Sequence, residues 1–533
     1  MASGKPKNHH YESLKRSVKK TGAKDYASVS SSKTGGKPKQ DAESSTGNNF
    51  PPKIAASEIA GVESESIAAP PSPVLETSVE DESSSHSVRQ KADREKKHSL
   101  RREKLLASDD WIIRSGHSFT FAGIFLFTIF VFYRPYELIP GLGFLQSGAL
   151  VIALATLLIY IPTQLSAESS LTMLSTEVKS ILALVGVAII TMPIARNPAT
   201  AWATFNDPFI KAVLMFIVMV NVVRTRKRLM MLVWLSLIIS IYISLMAISL
   251  YLKGEFKTEG YRVSIDLVGL FNNPNDLAIQ LVTMIPIVVG MALASKNLFV
   301  RLFFLAVGGL FLFGMLITFS RGAFLAFVAM AAVLVWKLGR AERIKYSIIA
   351  VVCGAIFLVI APGNYGLRVL SIIFPDLDPV GSAGARRDGL MVSILVSIRN
   401  PWGIGIGNSP GFSPHGLQTH NSYTQISSEL GVLGLTAYVI FIVSALRKLG
   451  AIEHTQYAAG ERDWYYFMAI AFQGSLVAFM VASFFGSVAY LWYVYYLVAY
   501  AVAFRRIYVI EKGLKKEVEA ESWREKISAL RTV

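Results

Sequence analysis

Apolar runs of about 20 residues recur from Phe119 onward, and they restrict the possible folds more than any other feature of the sequence. A run of that length matches the roughly 30 Å hydrocarbon core of a bilayer at about 1.5 Å per helical residue. Inside a bilayer each backbone N–H and C=O must find its partner within the spanning element, so the runs are read as helices. About twelve spans are expected, centred near residues 126, 152, 186, 216, 240, 286, 309, 330, 353, 434, 477 and 498, with the fourth and eighth short. The expected fold class is therefore all-α, a polytopic membrane protein of about twelve transmembrane helices. A chain of 533 residues that is 52% hydrophobic, with a mean hydropathy of +0.44, agrees with this.

Most of the 53 Lys and Arg fall on one side of that arrangement, in clusters such as RTRKR (224–228) and in the short loops near 296–301, 337–345 and 447–448. The positive-inside rule then puts both termini in the cytoplasm. Three regions are expected: a disordered, basic cytoplasmic tail over 1–110, a transmembrane domain over 111–508 with a long outer loop at 362–419, and a cytoplasmic C-terminal tail over 509–533. The first region is rich in Ser, Lys, Pro and Glu and cannot bury enough apolar surface to offset chain entropy. Its basic cluster KADREKKHSLRREK (91–104) reads as a solvated charge run or as a contact for anionic lipid. The net charge of +16 is this topological signal plus the tail, so no nucleic-acid partner is needed to explain it. A lone cysteine, Cys353, excludes an intrachain disulfide.

The outer side nevertheless carries cations, against the orientation rule. Arg262 precedes GLFNNPND, Arg321 begins RGAFL, and Arg386 and Arg387 sit in GARRDGL. Each has a plain alternative: a snorkelling cation at a span end for Arg321, and neutralisation by Asp388 for one of the pair. Taken together they call for an anionic partner. Residues 389–398 have helical apolar spacing, which predicts an amphipathic helix on the outer interface with Arg386 and Arg387 in its first turn, where free N–H groups would add to an anion site. NNPND (272–276) reads as an N-cap for the sixth span, with a ligand role for Asn275 as the alternative. WGIGIGN (402–408) reads as a sharply turning loop whose backbone can approach a ligand. Asp376 and Asp378 have the spacing of a metal-binding pair, but two acids beside prolines also arise by chance.

The stretch THNSYTQISSELGVLG (419–434) puts His420, Thr424, Ser427, Gly431 and Gly434 on one helical face nearly free of bulk, open to close approach by another helix. Glu429 lies nine residues beyond His420 on the opposite face, roughly 13 Å deeper at 1.5 Å per residue, so the two cannot form a dyad on one helix. A buried, hydrogen-bonded structural contact to a neighbouring helix is the expectation for it.

His-Asn, nine residues, then Gly-x-x-Gly (His420, Asn421, Gly431, Gly434), together with Arg-x3-Leu (Arg321, Leu325) and an Arg-bearing helix leading into a Gly-rich turn, resembles the O-antigen ligase and polymerase superfamily over roughly residues 260–445. The resemblance implies a fold like the C-type membrane glycosyltransferases in a bacterial inner (plasma) membrane. It implies transfer of a glycan from an undecaprenyl-pyrophosphate-linked donor to a hydroxyl acceptor (lipid A core, another glycan or a protein) on the periplasmic side, with no cofactor and no metal. The family's histidine falls on His420, its Arg-x3-Leu arginine on Arg321, and its long-loop arginine on Arg387 or Arg386. Arg262, Asn275 and Asn421 are expected to contact substrate. The motifs do not separate a ligase from a polymerase of the same superfamily, and a multispan transporter is the reading from another class, though no paired half-sequence symmetry supports it.

Overall fold

The computed structural model describes residues 117–512, apart from 140, 266–269, 341–342, 346, 349–350, 353, 355–364, 372–373, 375–381, 414–415 and 417. Asp376, Asp378, Cys353, the basic cluster 91–104 and nearly all of both tails lie outside the described residues. The elements used below are α1 (Ser118–Phe132), α2 (Gly148–Glu168), α3 (Thr176–Thr191), α4 (Pro198–Thr204), α5 (Ile210–Val222), α6 (Arg226–Lys253) and α7 (Pro274–Ala294). They continue with α8 (Leu298–Leu316), α9 (Arg321–Leu338), α10 (Tyr365–Leu370), α11 (Ser382–Arg399), α12 (Ser422–Ala458), α13 (Trp464–Ala482) and α14 (Trp492–Glu511). No strand occurs among the described residues, and ten helices are long and apolar enough to cross a bilayer. The protein is an all-α, multi-pass membrane protein.

Two of the twelve expected spans are not among those ten. The helix near 186 is present as α3, but its 16 residues reach only about 24 Å at 1.5 Å per residue. The span expected near 353 falls largely outside the described residues, and the ends that flank it lie on opposite faces: Arg340 pairs with Glu453, whereas Tyr365 packs on Phe319. The fourth span, expected to be short, runs from Pro198 to Val222, with α4 and α5 joined across Phe205–Phe209.

Local chemistry sets where the helices begin. Ser175, Asn197, Thr225, Asn273, Asn297, Ser320, Asn421 and Asp463 each accept a hydrogen bond from a backbone N–H in the first turn of the helix that follows. Such groups would otherwise lose water at the membrane boundary without a partner. In NNPND the cap is Asn273, with Pro274 at the first helical position, where a missing N–H costs nothing. The buried centre is α7, packed against α8, α9 and α13, with the similarly buried α14 packed on α5, α12 and α13; α2 and α8 stay largely exposed, as lipid-facing helices do.

Charged side chains sort to the two faces. On one, Glu453 meets Lys337 and Arg340, Glu177 meets Lys448 at 2.8 Å, and Glu168 meets Arg506 at 2.6 Å and Arg224 at 2.9 Å. On the other, the loop segments 192–197, 254–265, 270–273, 317–320, 400–413, 418–421 and 486–491 come together. Arg196 donates to Gly411 O (2.6 Å), Arg262 to Thr318 O (2.8 Å), Arg368 to Phe319 O (2.9 Å) and Ser422 to Gly486 O (2.7 Å). The second is the site face.

The feature that shapes this face is a break in α12. Gly431 has φ 68° and ψ −168°, a region essentially reserved for glycine. The loop 400–409 is threaded against the break: Ile404 N donates to Ser428 O (3.0 Å), Gly405 N to Glu429 O (2.9 Å), and Val432 N to Pro401 O (3.0 Å). Gly403, Gly405 and Gly407 all have φ between 75° and 92°, which explains a glycine at every second position. The close approach expected of a ligand to WGIGIGN, and of a helix to Gly431, is one and the same contact. A Cβ on Gly431 would lie 2.2 Å from Pro401 O, and one on Gly403 would lie 2.4 Å from Glu429 O. Glu429 completes the join: fully buried, it accepts Gly407 N–H (2.9 Å) and Ser409 N–H (3.2 Å), so its structural partner is this loop instead of a neighbouring helix.

Candidate active site

Because α12 is interrupted at Gly431, its first segment, 422–430, is held as a separate piece of helix. Ser422 bonds Gly486 O and receives Val488 N–H (3.0 Å), Tyr423 OH bonds Met480 O (2.9 Å), and Ser427 meets Ser397 of α11 (2.8 Å). At the head of this segment Asn421 caps Tyr423 and Thr424 through its side-chain oxygen, and His420 precedes it with φ 52°. That left-handed conformation costs about 1–2 kcal/mol for a residue with a Cβ. It turns the imidazole out of the chain direction, into a cavity.

The cavity holds about 270 Å³ and is lined by His420, Asn421, Arg321, Arg386 and Arg387, with Ser371 and Thr419 among the polar groups and Leu325, Leu390, Phe484 and Phe485 on its apolar side. Arg321 begins α9, and its guanidinium donates to Ser371 Oγ at 3.0 Å. The neighbouring Gly322 is where Phe485 reaches the helix: a Cβ there would lie 2.5 Å from the Phe485 Cβ. α11 starts at Ser382, earlier than its apolar spacing suggests, so Arg386 and Arg387 sit in the second turn instead of the first. The free N–H groups of that helix start therefore lie a turn away from the arginines, and the charge reaching the cavity is carried by the side chains.

Electrostatics tune the groups against one another. Burial, and behind it the Arg386 guanidinium, holds the His420 imidazole below its ordinary value, so the ring is neutral at pH 7. Arg386 itself is lowered to about 10, first by burial and then by Arg321 and Arg262, with Glu259 acting the other way. Among the described residues Arg386, Arg387 and Asp388 form no ion pair, so Asp388 does not neutralise the arginines. Asn421 is 2% exposed, and its Nδ2 has no hydrogen-bond partner among the described residues, a donor at the cavity wall.

The structure thus brings together five of the residues singled out in the sequence: His420, Asn421, Arg321, Arg386 and Arg387. Arg262 and Asn275 are not among the lining residues. Arg262 is 2% exposed, its Nη2 donates to Asn275 Oδ1 (2.8 Å), and Asn275 Oδ1 also accepts from Ser320 Oγ (2.9 Å). The two act on the turn that leads into Arg321. Sequence reasoning did not find Arg368, Glu259, Ser371 or the Phe484–Phe485 wall, which join the site only through contacts distant in sequence. No group of three or more His, Cys, Asp or Glu able to hold a metal occurs among the described residues.

The protein is thus a multi-pass membrane protein in which an imidazole and three guanidiniums face one cavity at one membrane face. Residues 306–439 match the family model described as O-antigen ligase, a stretch that contains His420, Asn421, Arg321, Arg386 and Arg387 and excludes Arg262 and Asn275. This match supports the O-antigen ligase superfamily for that part of the chain. No curated protein matches it.

Proposed function

We propose that the protein transfers a glycan from a polyprenyl-pyrophosphate carrier, undecaprenyl pyrophosphate in a bacterial inner membrane, to a hydroxyl acceptor at the outer face. The observation that carries this reading is the convergence of His420, Arg321 and Arg386 on one cavity. The acceptor O–H approaches the anomeric carbon, and neutral His420 takes its proton as the new C–O bond forms. The bond from the anomeric carbon to the phosphate oxygen breaks, and the departing diphosphate keeps the electron pair. Arg321 and Arg386 hold that charge, with the more exposed Arg387 at the mouth, as guanidiniums can in place of a divalent ion. The Asn421 Nδ2–H is placed to donate to a sugar or phosphate oxygen. Cation–carboxylate pairs crowd the opposite face, which supports a cytoplasmic assignment for it and an outer assignment for the site.

In a strain lacking the protein, mass spectrometry of the envelope glycans is expected to find complete chains retained on their lipid carrier and absent from the acceptor. Single repeat units on the carrier would identify a polymerase instead, and an unchanged glycan profile would contradict both readings.

A base that must be neutral works above its pKa. Because the His420 pKa is lowered, activity is expected to persist through neutrality and to fall only as pH drops below about 6.5, the ordinary histidine value. Arg386→Gln removes one of the two causes of the shift, so the acid limb of the kcat/KM profile should move to higher pH, whatever happens to its height. A limb that stays in place would show that Arg386 does not act on the base.

A further inference from the structure

The turn that delivers Arg321 is braced from behind. Phe319 has φ 51°, unfavourable for a bulky residue, and the two carbonyls around it are each held by a buried arginine. Arg262 Nε donates to Thr318 O at 2.8 Å, and Arg368 Nε donates to Phe319 O at 2.9 Å. One carboxylate joins the pair: Glu259 Oε1 meets Arg262 Nη1 at 3.3 Å, and Oε2 meets Arg368 Nη2 at 3.0 Å and accepts from Tyr261 OH at 2.7 Å. The Arg368 guanidinium lies over the Tyr261 ring, 5.0 Å from its centre, and that ring packs edge-on against Phe319 at 5.3 Å.

Glu259 occupies this place at a cost. It has φ 51° and is followed by Gly260 with φ 72°, two left-handed residues in a tight turn where Asn-Gly or Asp-Gly is the usual choice. A longer acid in that conformation is explained by its reach: one carboxylate touches both arginines, and glutamate does so while only 16% exposed.

We propose that Glu259 is a positioning residue, which by bridging Arg262 and Arg368 fixes the 317–320 turn and so aims the Arg321 guanidinium into the cavity. The inference rests on the reading of Arg321 as a diphosphate ligand. Electrostatics alone predicts the opposite sign for its removal, because taking a negative charge from beside a cationic cavity should tighten binding of an anion. Positioning predicts weaker binding, because a cation displaced by about 1 Å loses most of what alignment provides.

The test is a double-mutant cycle on the full-length protein in detergent, with farnesyl pyrophosphate as the probe. Glu259→Gln is expected to raise Kd about 10-fold in the otherwise unchanged protein and less than 2-fold in an Arg321→Ala background. Binding as tight as wild type or tighter, or a 10-fold loss that persists without Arg321, overturns the proposal. Should Glu259→Gln fail to purify as a folded protein, Glu259→Asp, which keeps the charge but shortens the reach, is held to the same two criteria. If Arg321→Ala by itself leaves binding unchanged, the diphosphate reading of Arg321 fails and the inference falls with it, an outcome distinct from an effect of Glu259 that fails to depend on Arg321.

Discussion

Replacing His420 by Ala is expected to lower the rate of glycan transfer by about 10²–10⁴-fold, the range that a positioned general base supplies, while binding of a polyprenyl pyrophosphate changes little. The cations proposed to hold the diphosphate are untouched by this substitution, so the loss should fall on kcat. His420 has φ 52°, and Ala tolerates that region poorly, so backbone strain has to be separated from chemistry. Asn adopts left-handed backbone more readily than other non-glycine residues, and His420→Asn is therefore expected to be as inactive as His420→Ala. A rate for His420→Asn within a few-fold of wild type would show that the imidazole takes no proton in the slow step.

The second large effect belongs to the fold. Gly431→Ala is expected to destabilise the protein by about 2–5 kcal/mol, combining about 1–2 for a Cβ at positive φ with about 1–3 for overpacking. The obstruction is a backbone carbonyl, Pro401 O at 2.2 Å, which cannot swing aside as a side chain would. Pushing the loop away would also separate Gly405 N from Glu429 O and the 407–409 amides from the Glu429 carboxylate, leaving a fully buried acid without its donors. Thermal unfolding in detergent, followed by loss of the monodisperse peak, measures the effect. Gly309→Ala, whose Cβ would meet nothing within 4 Å, is the control and should behave as wild type. Equal melting of Gly431→Ala and Gly309→Ala would mean that the break in α12 does not hold the head of the helix.

Spans are legible in this sequence because a bilayer asks for length and hydropathy, which are local properties. The N-cap at Asn273 is likewise visible from the residues beside it. His420 and the arginines stood out for a related reason: a cation or a titratable ring at a span end is unusual on its own terms. What could not be read is who meets whom. WGIGIGN and the pair Gly431 and Gly434 each signalled a close approach, yet neither segment names the other as its partner. The bracket behind Arg321 is hidden more deeply, since Glu259 and Thr318 come from separate loops and Arg368 from α10, and the charge of Arg262 is visible in sequence whereas its burial is not. The start of α11 is hidden for a simpler reason: the apolar periodicity begins at Leu390, whereas the helix begins at Ser382 through small and charged residues that carry no periodic signal.

Reconstitution shows whether this cavity performs transfer on a lipid-linked glycan. Purified protein in proteoliposomes, with no ion gradient, would be supplied with the carrier-linked glycan that accumulates in the deletion strain and with envelope acceptor from the same cells. Wild-type protein is expected to move glycan from carrier to acceptor and release the polyprenyl pyrophosphate, with Arg321→Ala and His420→Asn both defective. Glycan that stays on its carrier, or that crosses the bilayer without changing its attachment, would mean that the cavity performs no transfer.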